Sequence, residues 1–251
     1  STWRGGLSLL SRYFWMCYDH LGGLFLTNLV WSLLNAPYLI LAYGIWQLGL
    51  NFGGAFVWVG GLLAINLVFL SPMALLLHCS GSNWVRGSES TIWSSFSLLR
   101  KFFWRAQLIQ LISLLAKLIL VMNVVFYSER SDWIGLLLTG LMVWAIFVFF
   151  IFSLQLYPLL VTQDTTVIST IKFVAILGIS HPLRMFWNFC VFVFYALLGV
   201  ISGVGLFVGI YAAWVLWASI RCQSLLSIYT GKALEPATPR SFRELIRPWE
   251  T

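Results

Sequence analysis

Between Met185 and Ile220 the chain runs for 36 residues without a charged side chain. A bilayer asks for such a run, because a helix covers the hydrocarbon with about 20 apolar residues. Four further apolar stretches precede it, over about residues 22–47, 53–77, 106–126 and 133–161. Across all 251 residues 60% are hydrophobic and 9% charged, against about 25% charged in soluble domains. Lipid is therefore the solvent of this chain. Lipid offers the backbone no hydrogen bonds, so apolar runs of this length select helices, which bond internally.

The 36-residue run is too long for one upright helix and is interrupted at Ser202-Gly203-Val204-Gly205. The spacing predicts two short spans, 185–201 and 205–220, joined by a tight glycine turn; a single, strongly tilted helix is the other option. That gives six spans. Asn35-Ala36-Pro37 in the first and Ser71-Pro72 in the second predict bends, since proline removes a backbone donor and crowds the preceding turn. The fourth span is long enough to tilt or protrude.

A short signature recurs: a basic residue, any residue, then Phe-Trp, as Arg12-Tyr13-Phe14-Trp15, Lys101-Phe102-Phe103-Trp104 and Arg184-Met185-Phe186-Trp187. Each copy heads a pair of apolar segments, which predicts three similar units. The stretches on the same side as the signatures, about Trp3–His20, Ser88–Arg105 and Thr165–His181, are amphipathic. The expected fold is thus all-α: a six-helix membrane bundle of three repeats, each an interfacial helix followed by a transmembrane hairpin. It forms one domain over 1–231, with residues 232–251 as a basic cytoplasmic tail. Asp164 or Thr165 is the expected cap of the third interfacial helix.

Of the 15 basic residues, 13 fall before the first span, between spans two and three or four and five, or after the sixth; Arg130 lies opposite and Lys117 inside a span. By the excess of Lys and Arg in cytoplasmic loops, both termini face the cytoplasm. The net charge of +7 is accounted for by topology and anionic headgroups, with no need of nucleic acid. Arg12, Lys101 and Arg184 are expected at phosphate headgroups, with Trp15, Trp104 and Trp187 in the aromatic belt. The same six residues are candidates for contact with headgroups or a partner.

Lys117 is the sharpest anomaly, about ten residues from either end of its span, because charge at that depth is costly and commonly functional. No Asp or Glu lies in any span to pair with it. Its amine must find Asn28, Asn35, Asn66, Asn123, Gln110 or Gln155, a water-filled cavity, or an acid on another chain. Lys117, Asn28, Asn35 and Asn66 are the candidate membrane-interior polar site, with interhelical hydrogen bonding as the plainer role of the asparagines. Gly199, Gly203, Gly205 and Gly209 have the spacing of close helix contacts. Cys17, Cys79, Cys190 and Cys222 show no paired spacing and are expected as reduced thiols. His20, His78 and His181 lack companions at metal-ligand spacing, so neither metal nor cofactor is expected. Ser-His-Asp arrangements and phosphate-cradling loops are absent from the sequence.

Tyr157-Pro158-Leu159-Leu160-Val161, then Asp164-Thr165, an amphipathic stretch and Ile179-Ser180-His181-Pro182-Leu183-Arg184, resemble the YesL-like bacterial membrane family, a domain of unknown function. Tyr18-Asp19-His20-Leu21-Gly22, Asn28-Leu29-Val30-Trp31 and Ala36-Pro37 are similar to the opening of that family. The resemblance implies a compact multi-span protein of the bacterial plasma (inner) membrane, in a family often associated with carbohydrate uptake, and supplies no catalytic residues. The expected function is a non-catalytic accessory or scaffold subunit of a larger membrane complex, with lipid and other membrane subunits as partners. A small transporter or permease component with a polar midplane site around Lys117 is the alternative. A headgroup-binding protein using the three signature basics is a third reading. A water-filled cavity at Lys117 speaks for transport, and a sealed Lys117 for the scaffold.

Overall fold

A computed structural model describes residues 2–87, 92–202 and 209–230, and among them every regular element is a helix. The order is α1 (Thr2–Asp19), α2 (Leu21–Phe52), α3 (Ala55–Phe69), α4 (Ala74–Val85), α5 (Ile92–Ser128), α6 (Trp133–Ser153), α7 (Leu156–Gln163), α8 (Val167–Ser180), α9 (Pro182–Ser202) and α10 (Ile210–Thr230). Four helical stretches, at Leu21–Phe52, Trp93–Ser128, Trp133–Gln163 and Pro182–Gly199, are long and apolar enough to cross a membrane. A fifth crossing results if α3 and α4, bent by 47° at their junction, are taken as one broken span.

Two hairpins dominate the half of the bundle away from the basic residues. Helices α2 and α3 turn through Gly53 and Gly54, whose φ values of 68° and 56° lie in the left-handed region that glycine enters without a Cβ clash. Their backbones then press together: a Cβ on Gly49 would stand 2.7 Å from the Phe56 carbonyl oxygen and 3.4 Å from the Gly60 Cα. Small residues allow this approach, through which membrane helices gain van der Waals contact. Helices α5 and α6 form the second hairpin, with Asp132 capping α6 by accepting from the Gly135 N–H at 2.9 Å.

Helix α10 is the hub, packed against α1, α2, α4, α7 and α9. Its run from Tyr211 to Ile220 is almost continuously buried, with Val215, Leu216, Ala218 and Ile220 fully enclosed. The sixth expected span, 205–220, falls on this helix from Ile210 onward, residues 205–208 lying outside the described ones. The helix starts at Ile210, continues to Thr230, and is not among the helices apolar enough to cross a membrane. A helix wrapped by protein need not be apolar toward lipid.

Other boundaries also change. The stretch Ser88–Arg105 is not a separate interfacial helix; from Ile92 it is continuous with the 106–126 span in one 37-residue helix. No Gly or Pro stands between Ile92 and Ser128 to stop it, and at roughly 55 Å it outreaches the hydrocarbon. The 53–77 span breaks between Phe69 and Ala74 at Ser71-Pro72, and the 133–161 span breaks at Leu154-Gln155. Helix α2 passes through Pro37 unbroken. Thr166, rather than Asp164 or Thr165, caps α8, while Asp164 ends α7 with φ 47°. Gly203, Gly205 and the 232–251 tail lie outside the described residues.

Candidate functional site

The four residues expected to form one polar site are all buried, but they divide among three places. Lys117, on α5, is 1% exposed and donates to Asn66 Oδ1 of α3 at 2.5 Å and to Ser153 Oγ of α6 at 3.3 Å. Ser113, one turn before Lys117, donates to the same Asn66 oxygen at 3.3 Å. Two rings complete the enclosure: the ammonium lies 5.3 Å from the Phe150 centroid and 5.8 Å from that of Phe149. An aromatic face attracts a cation most strongly where water is excluded. The lysine is therefore sealed by amide, hydroxyl and aromatic groups from three helices.

Asn28 lies elsewhere, accepting the Ala212 N–H at 3.0 Å and so serving the first turn of α10, where backbone donors have no partner within the helix. Asn35 donates to the Val68 carbonyl at 3.4 Å. That bond belongs to a second arrangement, at the α3–α4 break. Pro72 has no N–H, and the chain leaves helical geometry around it, so the carbonyls of Val68, Phe69 and Leu70 lose their partners four residues on. Three helices supply replacements: Asn35 of α2 for Val68, Tyr211 of α10 for Phe69 at 3.0 Å, and Tyr157 of α7 for Leu70. Ser71 Oγ accepts the Ala74 N–H at 3.1 Å and starts α4.

Most of the basic residues gather at one end, where two of them face helix C-termini, whose carbonyls lack donors and whose dipole is negative. Arg12 donates to the Val85 carbonyl at 3.3 Å, where α4 ends, and Arg86 to the Thr162 carbonyl at 2.8 Å, near the end of α7. Lys101 pairs with Asp164, and Arg105 reaches the other oxygen of that carboxylate at 2.7 Å. The Lys101 hydrogen bond, helped by Arg105, holds the Asp164 carboxyl below the usual carboxylate value against the opposing effect of desolvation. Of the signature basics, Arg184 is exposed and lies within electrostatic reach of Arg221.

The three signature tryptophans differ in exposure. Trp104 and Trp187 are 76% and 58% exposed, whereas Trp15 is 8% exposed and packs edge-on against Phe14 and Tyr18. Trp15 is a core residue because α1 folds onto α10, bringing Tyr13 within 5.5 Å of Trp217. Cys79 and Cys222 are buried, Cys17 and Cys190 partly so, and all four are free thiols. Among the described residues no three His, Cys, Asp or Glu side chains stand close enough to hold a metal.

Sequence reasoning missed Ser113 and Ser153 as partners of Lys117, and Tyr157 and Tyr211 as partners of the broken helix. A signal for the second existed: Pro72 inside an apolar span announces an orphaned carbonyl at position 68, which some polar side chain must meet. No family model matches the chain, and neither the curated proteins nor the solved structures contain a match.

Proposed function

We propose that this chain is a non-catalytic accessory or scaffold subunit of a larger complex in the bacterial plasma membrane, with both termini in the cytoplasm. The observation that carries the reading is the sealed Lys117, whose amine is used in joining α5 to α3 and α6. The α3–α4 break supports it further. Transporters leave unwound carbonyls open to coordinate a substrate or ion, whereas here Val68, Phe69 and Leu70 each have a protein donor. The polar groups that meet at Lys117 and at the break hold helices together.

The finer architecture belongs to the same proposal. Six crossings in three units follow if α3–α4 and α6–α7 each count as one broken crossing and α10 as the sixth, shielded from lipid by its neighbours. The basic end then faces the cytoplasm and anionic headgroups, and the Ser128–Asp132 turn faces the other side. Kinship to the YesL-like family fits this reading, including its association with carbohydrate uptake.

One observation favours a small transporter or permease component instead: two broken helices converge on Lys117, since Asn66 lies just before the first break and Ser153 at the second. Discontinuous helices around a midplane charge are a transporter device. Extraction in mild detergent and mass measurement of the intact particle tests the proposal. Co-migration with other subunits at fixed stoichiometry is the expected result. A lone monomer or homo-oligomer overturns it and turns the question to substrate flux in Lys117→Ala.

A further inference from the structure

Two contacts pin α9 against α10 in antiparallel order. Deep in the bundle the Phe192 ring meets Trp214 edge-on at 5.0 Å, and at the basic end Tyr229 and His181 share a hydrogen bond of 3.1 Å. Between these rungs each helix contributes an arginine. Arg184 is exposed in the first turn of α9, and Arg221 of α10, partly buried, lies within its electrostatic reach. The two like charges repel, and the positive end of the α9 dipole adds to the cost of a cation in that first turn. Among the described residues no carboxylate pairs with either guanidinium. Arg221 rests instead on the face of Trp217 at 5.7 Å, and its Nε has no acceptor. One turn inward from Arg184, Asn188 is 1% exposed, and neither its Nδ2 nor its Oδ1 has a partner in the protein. Asn188 shares a face of α9 with Phe192, whose ring reaches α10, so its amide lies in the seam between the two helices.

We propose that Arg184, Arg221 and Asn188 bind a phosphate group in this seam. A bound anion removes both costs at once, the repulsion between the arginines and the unsatisfied buried donors. Guanidinium forks match phosphate oxygens with paired N–H donors, Asn188 Nδ2 adds a neutral donor, and the α9 dipole favours negative charge. Three donor groups around one anion suit a tetrahedral group better than a carboxylate with two oxygens. A phospholipid headgroup and soluble phosphate share this chemistry. The surroundings favour the headgroup, since Ile179, Leu183 and Trp187 flank Arg184 with exposed apolar side chains that belong in lipid. Arg12 and Lys101, the other signature basics, have partners within the protein and take no part in this site.

The chain is purified in mild detergent, titrated with phosphatidylglycerol and followed by native mass spectrometry, with inorganic phosphate as competitor. Wild type is compared with Arg184→Gln, Arg221→Gln and Asn188→Leu. Arg100→Gln is the control, because Arg100 is exposed on α5 at the same end and its loss removes one charge outside the seam. The expected result is one saturable lipid per wild-type and Arg100→Gln chain. Affinity falls roughly tenfold or more in each seam arginine variant, as losing a hydrogen bond between charged groups implies, and severalfold in Asn188→Leu. Displacement of the lipid by inorganic phosphate at comparable concentration upholds the site and gives it to the soluble group. Unchanged affinity in any of the three seam variants, an equal loss in Arg100→Gln, or no saturable binding of either probe overturns the proposal. If thermal unfolding shows Arg221→Gln or Asn188→Leu to be misfolded, Arg184→Gln, at an exposed position, decides by the same criteria. None of these outcomes depends on whether the chain co-purifies with other subunits.

Discussion

Lys117 Nζ and Asn66 Oδ1 meet at 2.5 Å between α5 and α3, where no carboxylate balances the charge. Removing the two partners therefore has unequal consequences. Asn66→Leu leaves the ammonium to Ser153 and two rings, and the loss of a hydrogen bond to a buried charged group costs about 1.5–3 kcal/mol. Lys117→Met removes the charge itself and, keeping much of the volume, costs about 1 kcal/mol or less. The double variant recovers most of the loss of Asn66→Leu. Thermal unfolding of the four proteins in one detergent measures this; a Lys117→Met loss equal to that of Asn66→Leu contradicts it.

Tyr157→Phe and Tyr211→Phe each remove one hydroxyl and leave a carbonyl of the α3–α4 break without its donor, Leu70 in the first case and Phe69 in the second. An unsatisfied buried acceptor costs about 1–3 kcal/mol, which is the destabilisation expected of each. Tyr195→Phe serves as the comparison: its hydroxyl meets Tyr13 at 2.5 Å, and Tyr13 retains the Ala213 carbonyl at 3.2 Å. A smaller loss is expected there. Equal losses in all three would show that the break has no special need of its tyrosines.

Asp164 gives the basic end an acid-sensitive clasp. Its carboxyl titrates below the usual value in the folded chain because Lys101 and Arg105 bind the charged form. A depressed folded pKa means that the stabilisation is fully present above the unfolded value of about 3.9 and is lost as pH falls through the folded value. Melting temperatures from pH 3 to 7 should thus dip below about pH 4 in wild type and less so in Asp164→Asn. Asparagine suits the left-handed φ of 47°, so the variant changes charge without straining the turn. A wild-type acid limb identical to that of the variant would assign the dip to other carboxylates.

Orientation is testable with single cysteines in a chain whose four native thiols are replaced by serine. Ser131→Cys, in the exposed turn before α6, should react with a membrane-impermeant maleimide in intact cells. Ser169→Cys, on α8 at the basic end, should react only after the membrane is opened. The reverse pattern inverts the topology.

Apolar runs and proline announced where helices lie and where one breaks, because both act through the local chain. Ser71-Pro72 bends its span by 47° as expected, and α2 continues through Pro37 as one helix. What escaped the sequence was which side chain answers which backbone group. Lys117 and Asn66 share a contact that neither helix alone implies, whereas Asn28 and Asn35, seven residues apart on one face of α2, serve different neighbours. The basic signature likewise repeats in sequence but not in setting. Arg12 closes a helix end, Lys101 meets a carboxylate and Arg184 stands exposed, because tertiary neighbours differ where local sequence is the same.

The three donors at the α3–α4 break come from residues 35, 157 and 211, so one arrives before the break is synthesised and two long after it. At about 5–20 residues per second, the chain from Leu70 to Tyr211 takes roughly 7–28 s to make. Through that interval the broken pair α3–α4 carries carbonyls that apolar surroundings cannot satisfy, so it matures only within the insertion machinery or against water. Helix α10 is then the one that licenses α3 and α4 to settle, and a chain truncated before Tyr211 should be recognised as unfinished by membrane quality control.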